Sequence, residues 1–200
     1  MVEKKSLWER HKVLIIVLAI IFVLLIWVIA MYNNFVTLDQ NVDAKWSEVE
    51  NQYQRQADLI PNLVSSVSSS VSVETKFVTD VTGARSRWQS AANLYDRDVA
   101  GVQMNNGIAA LINAVATSEN YPVLQANKQY VALTDELTGT QNRISVARGR
   151  YIESIQLLNT AVRRFPGNVF AGMFGFSQKE YYQAKLEAMN TPVLGTGVLP

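Results

Sequence analysis

From Val13 to Met31 the chain runs for nineteen residues, VLIIVLAIIFVLLIWVIAM, with neither a charge nor a polar stripe. At 1.5 Å rise per residue such a run makes a helix of about 28 Å, close to the roughly 30 Å hydrocarbon core of a bilayer. A helix that is apolar all round has to be buried in lipid or in a large core. The pattern therefore predicts a transmembrane helix over 13–31, with the lipid bilayer as its first partner. Lys4, Lys5, Arg10 and Lys12 precede the run, whereas the first charges after it are Asp39 and Asp43. By the positive-inside bias the N-terminus stays cytoplasmic and residues 32–200 lie outside, in the periplasm or extracellular space. Val28-Ile29-Ala30 offers small residues for a signal-peptide cut, but the run exceeds the roughly 7–15 residues of a signal h-region, which favours an uncleaved signal anchor in the plasma membrane.

Beyond the span, Phe35, Leu38, Val42, Trp46, Val49, Tyr53, Ala57 and Ile60 step by three or four residues. Their eleven-residue repeat suits a straight or slightly right-handed coiled-coil seam. No Gly or Pro separates this stripe from the span, so the membrane helix is expected to run on into the first helix of the domain as one rod on the order of 70 Å long. Pro61, within Asp58-Leu-Ile-Pro-Asn62, lacks an amide donor and disfavours helical geometry at Ile60. It is expected to mark a turn into a second helix, with a kink in one continuous helix as the alternative. Asp58 then accepts the amides freed at that helix start, with Asn62 in a similar part; a ligand-binding elbow is the other possibility.

The second stripe is Val64, Val67, Val71, Val78, Val81, Trp88, Ala92 and Tyr95, followed by a loop at 96–101 and a third helix from Met104 to Glu119. Pro122 breaks the chain. A fourth helix extends from Val123 to Arg164, with Tyr130, Leu137, Ile144, Tyr151, Ile155 and Leu158 among its inward positions, and Phe165-Pro166-Gly167 ends it. Pro61, Pro122 and Pro166 are thus the three expected helix breaks. Four segments result: a basic flank over 1–12, the span over 13–31, a helical bundle over 32–164, and an aromatic, Gly-rich segment with an uncharged tail over 165–200.

Charge and composition then remove whole classes of function. Lys and Arg number 18 against 17 Asp and Glu, with no polybasic block outside the N-terminal flank, so nucleic acid is not an expected partner. Cysteine is absent and the one histidine, His11, adjoins the span. That excludes disulfides, thiolate chemistry, histidine-based triads and zincin motifs, and neither a metal nor a cofactor is expected. No pair of carboxylates with catalytic spacing stands out, so the chain is not expected to be an enzyme. Glu74, Arg85 and Arg148 are the strongly charged residues on inward stripes. If buried they must be paired, either as a register pin, with Glu74 and Arg148 as the first pair to test, or as a recognition site for an anionic ligand.

The blocks YNNFVTLDQNVDAKWSEVE, RQADLIPNLV, VTGAR, SENYPVLQAN, ISVARGRYIESIQLLN and FPGNVFAGMFGF occur in this order between Tyr32 and Tyr182. In them the chain resembles the LemA family of bacterial membrane proteins, departing from the family pattern at Lys45, Ile152 and Leu158. The resemblance implies an all-α fold, a single N-terminal transmembrane helix continuing into a long antiparallel four-helix bundle, with no established enzymatic activity. It also implies envelope proteins, including membrane proteases of the heat-shock type, as partners. The expected function is a non-enzymatic membrane-anchored scaffold that assembles with itself; the alternative is an extracytoplasmic sensor or ligand-binding module acting through a membrane partner. Phe165, Phe170, Phe174, Phe176, Tyr181 and Tyr182, interleaved with glycines, form the candidate homo-oligomer interface, unless they cap the open end of the bundle instead.

Overall fold

The computed structural model describes residues 3–68, 75–117, 119 and 121–181, with side chains from His11 onward. The described residues are helical and contain no strand. Among the described residues six helices follow in order: α1 (Glu3–Ser68), α2 (Thr75–Ser90), α3 (Leu94–Thr117), α4 (Pro122–Gln125), α5 (Lys128–Arg163) and α6 (Gly167–Phe174). They divide into two compact units. One takes in α1 up to Asp43 together with α5 from Ile152 and α6; the other takes in residues 44–151.

In α1 every described residue from His11 to Trp27 is exposed, across the whole uncharged run but its last turn. The helix is long and apolar enough to cross a membrane. Past the run its exposure becomes one-sided. In the first unit Phe35 and Val42 are buried; in the second the buried stripe continues through Trp46, Val49, Tyr53, Ala57, Ile60, Leu63 and Val67. The three-and-four stepping up to Ile60 is thus the inward face, and it carries on past Pro61 without a restart.

The turn expected at Pro61 is therefore absent: α1 contains Pro61 and ends at Ser68. With the helix unbroken, the stripe steps from Ile60 to Leu63 and Val67, and Val64 is only partly covered. An internal proline costs about 3 kcal/mol, but fully buried residues one turn to either side commit α1 to a single path. Pro61 itself is exposed.

The other boundaries follow their capping residues. The loop expected at 96–101 lies instead at 91–93, because Asn93 caps α3: its Oδ1 accepts the Asp96 amide at 2.8 Å, and its Nδ2 donates to Asp96 Oδ2 at 2.8 Å. Pro122 stands at the first position of α4, where its missing donor costs nothing. Asn127 Oδ1 then accepts the amides of Gln129 and Tyr130 at 2.9 and 3.3 Å, so the helix expected to start at Val123 is split into α4 and α5. In the second unit α2 packs on α3, and the core adds Val81 and Trp88 from α2, Met104, Ile108 and Leu111 from α3, and Leu137 and Ile144 from α5.

Candidate functional site

Three helices of the second unit meet at a buried polar cluster. Tyr53 of α1 is fully buried on the apolar stripe, and Asp98 of α3 is 1 % exposed. The Tyr53 hydroxyl donates to Asp98 Oδ1 at 3.4 Å and accepts from Arg148 Nη1 of α5 at 3.3 Å. Arg148 Nη2 lies 3.4 Å from Asp98 Oδ2. Gly101, one turn along α3 from Asp98, makes the approach possible: a Cβ there would stand 2.6 Å from the Tyr53 ring. Burial, and then the Asp98 charge, push the Tyr53 pKa upward, so the phenol stays protonated as a donor. Each member supplies what the others lack: Arg148 neutralises Asp98, and the phenol bridges them. A charge-neutral set of this kind fixes the register of α1, α3 and α5.

Beside it, Arg97 pairs with Glu50 and lies 6.0 Å over the Trp88 ring. Neither Tyr53 nor Asp98 stood out in the sequence as a polar partner. Asp98 fell in the expected loop; the signal was the α3 apolar stripe, which read backward from Met104 reaches Gly101 and then Asp98 in steps of three. The pairing expected between Arg148 and Glu74 cannot be placed, since Glu74 lies outside the described residues.

Arg85 has a different task. The amide that would donate to the Ala57 carbonyl in a regular helix belongs to residue 61, which is proline. Ala57 is fully buried, and Arg85 Nε donates to its carbonyl oxygen at 2.8 Å. A guanidinium from α2 thus replaces the donor that Pro61 removes. Asp58 and Asn62 cap nothing, because no helix begins there. The exposed Asp58 accepts from Gln54 Nε2 at 2.7 Å, and the Asn62 carbonyl accepts from Ser66 Oγ at 2.8 Å.

In the first unit the aromatic segment folds against α1. Phe170 meets Trp27 edge-on with centroids 5.4 Å apart, Phe174 meets Tyr32 at 5.2 Å, and Phe176 meets Tyr32 at 6.0 Å and Phe35 at 5.4 Å. Pro166 is the residue before α6. Phe165 and Tyr181 remain exposed, and Tyr182 lies outside the described residues. The segment after α6 is then tied down. Asn159 donates to the Lys179 carbonyl at 2.8 Å and accepts its amide at 2.9 Å. The Lys179 ammonium lies 2.9 Å from both Asp39 and Asp43. Burial lowers its pKa, and the two carboxylate bonds more than offset this, for a net rise. Sequence spacing gave no hint of this strap, whose partners come from three distant stretches.

The second unit also carries an open groove of about 480 Å³ lined by Glu48, Asn51, Gln52, Asn142, Arg143 and Arg150 among others. Among the described residues no group of His, Asp or Glu has the arrangement of a metal site.

The profile of the LemA family matches residues 45–194. Among curated proteins the chain is similar to magnetosome protein MamQ 2 of Paramagnetospirillum magneticum, 24% identical over 207 residues that cover 92% of this chain and 76% of the relative. MamQ 1 of the same organism matches to the same extent. Magnetosome protein MamQ of Magnetospirillum gryphiswaldense is 26% identical over 186 residues, 82% of this chain and 68% of the relative. With its polar cluster, its helices α2 to α6 and most of its buried stripe inside the matched region, the chain belongs to the LemA family.

Proposed function

We propose that this protein is a non-enzymatic helical scaffold of the bacterial envelope, anchored in the plasma membrane by residues 13–31, with the N-terminus cytoplasmic and the remainder outside. The observation that carries the reading is α1 itself: one helix presents an exposed, uncharged run and then supplies the buried stripe of a core. Anchor and domain are then a single element. Membership of the LemA family and likeness to magnetosome proteins support a membrane-associated protein without a catalytic role.

The extramembrane helices are read as an antiparallel four-helix bundle of α1, α2, α3 and α5. In support, rising positions on α1 meet falling positions on α5, Trp46 with Tyr151, Tyr53 with Arg148 and Arg55 with Glu136. They also meet falling positions on α2, Tyr53 with Trp88 and Ala57 with Arg85.

The scaffold is proposed to assemble with copies of itself and with other envelope proteins. Crosslinking in native membranes, followed by sizing in mild detergent, is expected to give a species larger than one chain with its detergent belt. A monodisperse monomer at concentrations above those of the extract removes self-assembly from the proposal. A second reading, a ligand-binding module that signals through a membrane partner, is favoured by the groove between Arg143 and Arg150. Saturable stabilisation by a small anion that is lost in Arg143→Ala would select it.

A further inference from the structure

Helix α6 reaches along the outside of α1 toward the apolar run and returns. A Cβ on Gly167 would meet the ring of Phe35 at 3.5 Å; Phe170 then packs on Trp27, Phe174 on Tyr32, and Phe176 on Phe35 again. Trp27 lies four residues inside the end of the uncharged run, about 6 Å along the helix axis. One side of α6 is used up by these contacts and by buried Ala171. The other side is bare: on it Val169 and Met173, one turn apart, are 53 and 73 % exposed, with Asn168 and Gly172 exposed beside them, and Phe165, in the turn before α6, is 79 % exposed. Arg163 and Arg164, both exposed, stand at the start of this excursion.

We propose that α6 is a membrane wedge: its Val169–Met173 stripe, with Phe165 in the turn before it, lies in the acyl–headgroup boundary of the leaflet at the C-terminal end of the span, with Arg163 and Arg164 at the level of lipid phosphate. The proposal rests on the reading that α1 crosses a bilayer, and it assigns the stripe to lipid, not to a second protein. The depth decides this. Interfacial helices bury their apolar face roughly 5–10 Å below the headgroups, and a helix packed on Trp27 is carried to that depth by α1. The same contacts put Trp27 and Tyr32 at the level where aromatic rings gather. Basic side chains beside the stripe extend their apolar stems along it and keep their charges at the phosphates.

The chain has no cysteine, so single spin labels can be placed without background. Val169→Cys, Met173→Cys, a span control Ile21→Cys and an aqueous control Gln156→Cys are each labelled in the full chain, in vesicles of phosphatidylcholine and phosphatidylglycerol. The readout is the ratio of oxygen to water-soluble nickel-chelate accessibility. The proposal expects the labels at 169 and 173 to share the high ratio of position 21 and to differ severalfold from position 156. A high ratio at 21 with a low one at 169 and 173 overturns the wedge and leaves the anchor standing. Protection from both reagents at 169 and 173 overturns it in favour of contact between copies. A low ratio at 21 itself removes the anchor and the wedge together.

Discussion

At the scale of single residues, the protein repeatedly meets the deficit of one side chain with another that is remote in sequence. Asp98 is the clearest case, since a carboxylate 1 % exposed is faced by Arg148 and the Tyr53 hydroxyl. Arg148→Leu is expected to cost about 3–5 kcal/mol, because it removes the cation that faces that buried carboxylate. The double variant Arg148→Leu with Asp98→Leu should recover most of the loss, and additive costs in denaturant unfolding would show that the two are not coupled. The same cluster has a pH signature. The folded-state pKa of Tyr53 is raised above its ordinary value of 10.0, so the unfolded chain releases this proton first. Its contribution is complete below pH 10 and is lost progressively as pH rises above it. Tyr53→Phe should flatten the alkaline limb of the stability profile; an unchanged limb would assign it to other groups, such as Tyr130, whose pKa burial also raises.

The elements show where sequence patterning succeeds and where it stops. The inward face of α1 was legible from its three-and-four stepping, because burial of one stripe is a local rule applied many times. The continuity of α1 was not legible. Pro61 obeys a local rule that predicts a break, and the rule is overruled with the help of Arg85, which reaches the Ala57 carbonyl from 28 residues away in the chain. The cap at Asn93 was present in the sequence as Asn-x-x-Asp, but the Ala and Tyr positions around it extended the α2 stripe too far. Of the candidate site, Arg85 and Arg148 were legible as inward charges, whereas their partners were not, since a backbone carbonyl carries no sequence signal and Asp98 fell in an expected loop. The role of Arg85 is open to a direct test. Arg85→Leu is expected to lower stability by about 1–3 kcal/mol, the cost of a buried carbonyl left without a donor. Pro61→Ala restores the missing amide, so the same substitution in that background should cost far less. Equal costs in both backgrounds would mean that Arg85 acts through some contact other than the Ala57 carbonyl.

For the whole molecule, the decisive question is which way the chain faces. Four basic residues stand before Val13 and the first charges after the run are acidic, from which the positive-inside bias predicts a domain outside the cytoplasm. Protease added to intact spheroplasts should degrade the region after residue 32 while a cytoplasmic marker survives. Protection of both until detergent is added would reverse the orientation.

The strap at Lys179 bears on what happens when something pulls. Any load that arrives along the backbone from beyond Tyr181 reaches Lys179 before it reaches α6, and there it meets two side-chain–backbone bonds to Asn159 and two ionic contacts to α1. Tension is thereby shunted into the long helices α5 and α1, and the ring contacts of Phe170, Phe174 and Phe176 are spared. The ionic half of that grip weakens with salt, whereas the amide half does not. Lys179 is thus held by two grips of different salt sensitivity, so a rise in ionic strength loosens its hold on α1 before its hold on α5.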